Sequence, residues 1–224
     1  MTNPAPNHNP HKLDPADLRP KGGLRSRLFA IMMARGSDVH DAFLAPYKRR
    51  LLSDLRGEIM EIGPGSGPNL AYYSPDIHWI GVEPNPYMHD YLRASAAEQG
   101  RTIDLRTGHA EALPAEDESM DAVVSTLVLC SVHDLDASLA EARRVLKPGG
   151  KFIFIEHVAA ARGTGLRRVQ NFVRPLWRAV ADGCQPNREI GKHLEQADFA
   201  ELHIEYFDVA VPVVKPHIAG YAVK

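Results

Sequence analysis

Cysteine is scarce in this chain. Cys130 and Cys184 are the two among 224 residues, too few for the disulfide framework of a small secreted domain. A reducing, cytoplasmic setting is therefore the expectation. Charge of one sign is also missing. The net charge of −2 gives no global field for nucleic acid. No apolar run approaches the length of a membrane-spanning helix. The opening stretch, MTNPAPNHNPHKLDPADLRPKGG, lacks the apolar core of a secretory signal. Its proline, asparagine and charge make residues 1–22 read as a disordered arm. Internal repeats and interdomain linkers are absent too. Residues 23–224 thus read as one domain, for which a hydrophobic content of 44 % supplies a core.

What the chain does have is a glycine-rich turn between apolar segments. Glu58-Ile59-Met60-Glu61-Ile62 runs into Gly63-Pro64-Gly65-Ser66-Gly67. Glu83, within Gly81-Val82-Glu83-Pro84-Asn85, follows Gly63 by about twenty residues, a spacing typical of nucleotide folds. A strand, a glycine turn and a second strand ending in a carboxylate form the layout of an adenosine-type cofactor site. Glu83 can accept both ribose hydroxyls from there. Dinucleotide folds use G-x-G-x-x-G, whereas this turn is G-x-G-x-G with Pro68 at the third dinucleotide position. Proline suits a first helical turn, so a helix is expected from about residues 66–68. Glu61 would repel a pyrophosphate. It suits a cation such as S-adenosylmethionine, which carries a sulfonium and an ammonium group.

The order of elements points to an α/β sheet. Helical spacing of Leu24, Leu28, Ile31 and Met32 predicts a first helix that packs on the domain. Ser37 is an N-cap candidate for a second, ending near Leu55. Both precede the sheet and are expected to cover the cleft (residues 23–56). Strands are expected at Glu58–Ile62, His78–Val82, Ile103–Arg106, Ala122–Val128 and Lys151–Glu156. Helices are expected at Pro86–Gln99 and Leu135–Leu146, then over 166–182 and 187–196. Such alternation predicts a Rossmann-like, doubly wound, mostly parallel seven-stranded sheet with its ligand at the strand carboxyl ends. Leu202–Asp208 and Val213–Val223 would add an antiparallel C-terminal edge.

Taken in order, these blocks resemble a class I S-adenosylmethionine-dependent methyltransferase. Besides the glycine turn there is Gly108-His109-Ala110-Glu111-Ala112-Leu113-Pro114, similar to the segment that cups adenine in such enzymes. Arg143-Arg144-Val145-Leu146-Lys147-Pro148-Gly149-Gly150 resembles their turn into strand 5. The resemblance implies S-adenosylmethionine as cofactor. It assigns Glu61, Gly63, Pro64, Gly65, Gly67, Glu83, Pro84, Ala110, Glu111 and Thr126 to the cofactor site. Narrower blocks are Thr126-Leu127-Val128-Leu129-Cys130-Ser131-Val132, Glu156-His157-Val158-Ala159-Ala160, Asp182-Gly183-Cys184 and Pro216-His217-Ile218-Ala219-Gly220-Tyr221-Ala222-Val223-Lys224. These resemble the methyltransferase-like thiol S-methyltransferases, whose animal members act on small alkyl thiols at the endoplasmic reticulum membrane. The front of this chain departs from them, with a polar arm in place of an apolar anchor.

That resemblance implies methyl transfer to a small, rather apolar thiol. A thiolate is the nucleophile, and histidine can take its proton near neutrality. His157 is the first candidate, at a strand end. His133 and His217 are the others. Phe172, Trp177 and Tyr221 are candidates for an apolar acceptor pocket. A zinc site from Cys130, His133, His157 and Cys184 lacks a second close-spaced pair, so no metal is expected. A lipid amine or quinone methyltransferase is the alternative enzyme. A noncatalytic cofactor-binding module is the alternative outside enzymes. Residues 1–57 carry ten Lys/Arg against five Asp/Glu, a basic front suited to weak contact with an anionic membrane surface.

Overall fold

A computed structural model of the protein describes residues 22–36 and 38–224. Residues 1–21 of the expected 1–22 arm, and Ser37 as an N-cap, lie outside the described residues. Helices α1 (Leu24–Gly36) and α2 (Asp38–Leu52) come first. There follow β1 (Gly57–Ile62), β2 (Ile77–Val82), α3 (His89–Glu98), β3 (Asp104–Arg106), β4 (Met120–Thr126) and α4 (Leu135–Val145). The chain ends with β5 (Leu146–His157), α5 (Gly165–Val180), α6 (Ile190–Glu195), β6 (Glu201–Asp208) and β7 (Pro216–Val223).

The sheet order is β3-β2-β1-β4-β5-β7-β6. Strands β1 to β5 are parallel, and β7 runs antiparallel to both of its neighbours. The order reverses between β1 and β4, which opens a crevice at their carboxyl ends. Buried parallel strands need apolar residues on both faces, and here successive residues serve two cores. Met60, Val123, Phe152 and Phe154 pack with Leu135 and Leu139 of α4. Ile59, Val124 and Ile153 pack with Leu92 of α3 on the other face. Side-chain caps fix two helix starts. Asp134 accepts from the Ala137 amide at 3.0 Å and Thr164 from the Arg167 amide at 3.2 Å.

Four expectations are corrected. No α-helix follows the glycine turn; a three-residue 3₁₀ turn, Leu70–Tyr72, stands there. Pro75 disfavours helical dihedrals at Ser74, and β2 begins soon after. Strand β4 stops at Thr126 because Leu127 turns to φ +59°. Residues 147–150 are not a turn before β5 but an irregularity within it. Met120 pairs with Leu146, and the next pairing is Ala122 with Lys151. Strand β7 starts at Pro216 rather than Val213, whose φ of +70° is incompatible with extended backbone.

Candidate active site

A cavity of ≈ 960 Å³ opens at the carboxyl ends of β1, β2 and β4, with α1 and α2 along one side. The glycine turn forms its floor. Gly63 sits at φ +58° and Gly65 at φ +57°, where a side chain is strained. A Cβ on Gly63 would also lie 2.8 Å from Val128. The Gly65 amide donates to Glu83 Oε2 at 3.0 Å, and the Asn85 amide donates to Oε1 at 2.8 Å. Turn and carboxylate are thus one unit. Asn85 Nδ2 donates to the Ser26 carbonyl at 3.1 Å, which fastens α1 over the site.

Glu61 lies beneath this turn, 2 % exposed. It accepts from Asn69 Nδ2 at 2.8 Å, Tyr73 Oη at 2.7 Å and Trp79 Nε1 at 3.1 Å. Burial pushes its carboxyl above the usual carboxylate range, against the pull of these donors. Asn69 also donates to Thr126 Oγ1 at 3.0 Å. Its own Oδ1 is buried and has no hydrogen-bond partner. An idle acceptor beside a buried carboxylate suits a cationic donor, so the residues present fit S-adenosylmethionine. Asn69 was not singled out from the sequence. Its role depends on the bend that brings it back to β1.

Glu61, Gly63, Pro64, Gly65, Glu83, Pro84, Ala110, Glu111 and Thr126 all line the cavity. Glu111 Oε1 accepts from the His133 amide at 2.6 Å and the Asp134 amide at 3.1 Å, so it also anchors the loop after β4. Gly67 is a correction. It is not among the lining residues; a Cβ there would lie 2.7 Å from Leu92. Gly67 allows the close approach of Leu92 of α3 and of Leu70.

The histidines divide. His133 lines the cavity, whereas His157 and His217 stand behind its wall. His157 is the last residue of β5 and pairs with His217 of β7, so the sheet continues past the expected strand end and buries both. His157 Nε2 lies 3.1 Å from Cys184 Sγ. His217 Nε2 lies 3.1 Å from Nε2 of His40, which does line the cavity. His40 was missed in the sequence, where nothing near it marks a site. Burial, with His157 and Lys48 nearby, lowers its pKa. Burial foremost holds His217 at about 4. Both imidazoles are therefore neutral near pH 7. Lys48, 1 % exposed and paired with Asp41, also lines the cavity. None of Phe172, Trp177 and Tyr221 does. Phe172 is exposed on α5, and the other two pack elsewhere.

At the end of β4, Leu127 holds a strained left-handed conformation. Glu156, fully buried, clamps this bend. Its Oε1 accepts from Ser125 Oγ at 2.7 Å and the Val128 amide at 3.0 Å. Burial, with Cys130 beside it, pushes the Glu156 carboxyl up to about 7.

Comparison with known proteins agrees with this geometry. Residues 60–154 match the methyltransferase domain family. The chain is 36 % identical to human thiol S-methyltransferase TMT1A, over 88 % of this chain and 86 % of that one. Rat thiol S-methyltransferase TMT1B is 38 % identical over 79 % of this chain and 78 % of its own. A SAM-dependent methyltransferase structure from Aquifex aeolicus superposes with a TM-score of 0.58 at 16 % identity, covering 95 % of this chain and 99 % of that one. This chain belongs to the methyltransferase family that includes the thiol S-methyltransferases TMT1A and TMT1B.

Proposed function

We propose that the chain transfers a methyl group to small, rather apolar thiols. The observation that carries this reading is its relationship to thiol S-methyltransferases over most of its length. S-adenosylmethionine, when bound, supplies a methyl group on a positively charged sulfur. Glu83 offers carboxylate oxygens to ribose hydroxyls at the end of β2. Glu61 and the idle Asn69 Oδ1 offer negative charge and an acceptor to the cationic end. Positioning accounts for much of the rate in such a displacement.

The remaining demand is a thiolate, since an unperturbed cysteine-type thiol has a pKa of about 8.5. His40 meets it. His217 Nδ1 lies 3.1 Å from the Lys215 carbonyl, so the network assigns the His217 proton to Nδ1 and leaves Nε2 bare. His40 then donates Nε2–H to His217, which leaves His40 Nδ1 as the acceptor nitrogen on the cavity side chain. A thiol in the cavity gives its proton to that nitrogen, and His217 holds the ring in the accepting tautomer. His109 and His133 also line the cavity, His133 at the loop held by Glu111. Phe29, Met33, Leu44 and Leu127 supply apolar wall.

The same reading includes contact with an anionic membrane surface and a cytoplasmic location. No helix among the described residues is long and apolar enough to cross a membrane. Helix α5 nevertheless exposes Phe172 (87 %), Leu176 (70 %), Val180 and Val169 along one face. Arg168, Arg174 and Arg178 are exposed beside them. Helix α1 adds exposed Leu24, Leu28 and Met32, which corrects the expectation that these pack inward. Arg25 Nη2 donates to the Arg178 carbonyl at 2.7 Å, joining the two helices next to the cavity. Apolar residues rimmed by arginine suit an interface with anionic lipid.

The test is labelled methyl transfer to a panel of small thiols, hydrogen sulfide, an amine lipid and a quinol. Turnover confined to thiols is the expected result. Turnover only on the lipid or the quinol would overturn the acceptor class.

A further inference from the structure

Behind the cavity wall, three distant segments bring two sulfurs and a nitrogen together. Cys130 follows β4, His157 ends β5 and Cys184 follows α5. Their ligating atoms all lie within 4.8 Å of one another, and all three residues are buried. The loops that carry them are tied together. The Gln185 amide donates to the Cys130 carbonyl at 3.0 Å. Arg188 Nη1 donates to the Leu129 and Val132 carbonyls, each at 2.7 Å.

Cys130 Sγ has the Leu127 carbonyl at 3.7 Å and Ser131 Oγ at 3.5 Å, but His157 is poorly matched as a hydrogen-bonding group. His157 Nε2 rests against the Cys184 thiol, a weak donor, while its Nδ1 is buried without a partner. As a ligand set the trio is well matched. Two thiolates and an imidazole are donors of tetrahedral N/S metal sites. With Zn–S near 2.3 Å and Zn–N near 2.0 Å, a tetrahedral ion holds its ligand atoms about 3.5–3.8 Å apart. The observed 3.1 Å between His157 Nε2 and Cys184 Sγ then needs to open by about half an ångström. Charge also balances. Two thiolates neutralise a divalent cation, which a buried site requires. Sulfur ligands select against magnesium and calcium.

We propose that Cys130, His157 and Cys184 form a site for a divalent d¹⁰ metal ion, Zn²⁺, that pins the ends of β4, β5 and α5 together behind the acceptor cavity. On binding, each thiol releases its proton to solvent, two S–Zn bonds and one N–Zn bond form, and no electrons change hands. His133, the nearest histidine to Cys130 in sequence, is not part of the cluster. The fourth tetrahedral position has no protein ligand among the described residues and is left to water or a small external sulfur. Ser131 and Gly183, each adjacent to a ligand, line the cavity, so the ion would stiffen the wall against which the acceptor sits.

The test uses the full chain purified under reducing conditions without chelator. Elemental analysis should find about one zinc per chain, retained through dialysis. Cobalt added to the stripped chain should give a thiolate-to-metal charge-transfer band and the strong visible bands of a tetrahedral ion. Cys130→Ser and Cys184→Ser should each lose both signals. His157→Cys keeps three soft ligands and should retain them. Binding of S-adenosylmethionine by calorimetry reports whether each variant is folded. A wild-type chain with both thiols free that takes up neither zinc nor cobalt overturns the proposal. So does metal that stays bound in a folded chain lacking both cysteines. No readout uses a methyl acceptor, so failure here is distinguishable from failure of the thiol reading.

Discussion

The two sides of the cavity are built differently. The cofactor side is a local device: a glycine turn, the Glu83 carboxylate that its amide grips, and Glu61 beneath. The histidine side is assembled from across the chain. His40 and His217, in contact, are 177 positions apart. His133 is held by Glu111 from a different loop. A shared ligand can be bound by one short turn on a sheet. A thiol acceptor needs a neutral base in a dry wall, which several elements must build together.

The largest expected effect tests the assembled side. His217 is fully buried with a pKa held at about 4, below the 6.5 of a free histidine. Between those values the unfolded chain binds a proton that the folded chain does not. The wild type therefore loses stability as pH falls through this window. Against His217→Gln, denaturant titrations should show the wild type gaining roughly 3 kcal/mol as pH rises from about 4 to 6.5. A pH-independent difference would mean that His217 is not held neutral.

Next comes the local side. Glu83→Ala removes acceptors for charge-assisted hydrogen bonds worth about 1.5–3 kcal/mol each. Calorimetry should show S-adenosylmethionine affinity falling by roughly 10- to 100-fold. Unchanged affinity would remove Glu83 from the site and weaken the contrast between the two sides.

His40→Ala should leave cofactor affinity in place and lower turnover on thiols. For an acceptor of pKa about 8.5 the deficit is bounded at roughly 30-fold at pH 7, the inverse of its thiolate fraction. It should shrink as pH rises toward that pKa, where the thiol ionises unaided. A deficit constant across pH would assign His40 a structural role and return attention to His133.

The smallest effect concerns the outer face. Phe172→Glu on α5 changes an exposed side chain, so stability should move by no more than about 0.5 kcal/mol. Turnover on water-soluble thiols should be unchanged. Sedimentation with anionic vesicles should fall, and wild-type binding should weaken with salt. Equal sedimentation of the two chains would argue against this face.

The difference between the two sides also explains what could be read in advance. The place of Glu61, Gly63, Gly65 and Glu83 along the cavity was legible because strand, turn and carboxylate occur in fixed order, and backbone geometry does the rest. Gly67 was misread because a packing glycine and a ligand-facing glycine look alike in sequence. The contact of its position with Leu92 separates them. His157 was misread because β5 extends one residue beyond the expected end and carries that side chain behind the wall. Leu24, Leu28 and Met32 were misread because helical spacing identifies a face without saying what covers it. Asn69 and His40 gave no signal. Each matters through one partner brought close by folding, Glu61 and His217 respectively.

The sheet class, the order of its elements and the glycine turn that lines the cavity were all set within the sequence, because these follow from periodicity and from neighbouring residues. The tertiary structure decided which histidine reaches the cavity and which stays behind it. It also decided that Cys130, His157 and Cys184 converge. Such groupings depend on strand order and burial, which place residues far apart in the chain within a few ångströms and set the dielectric around them.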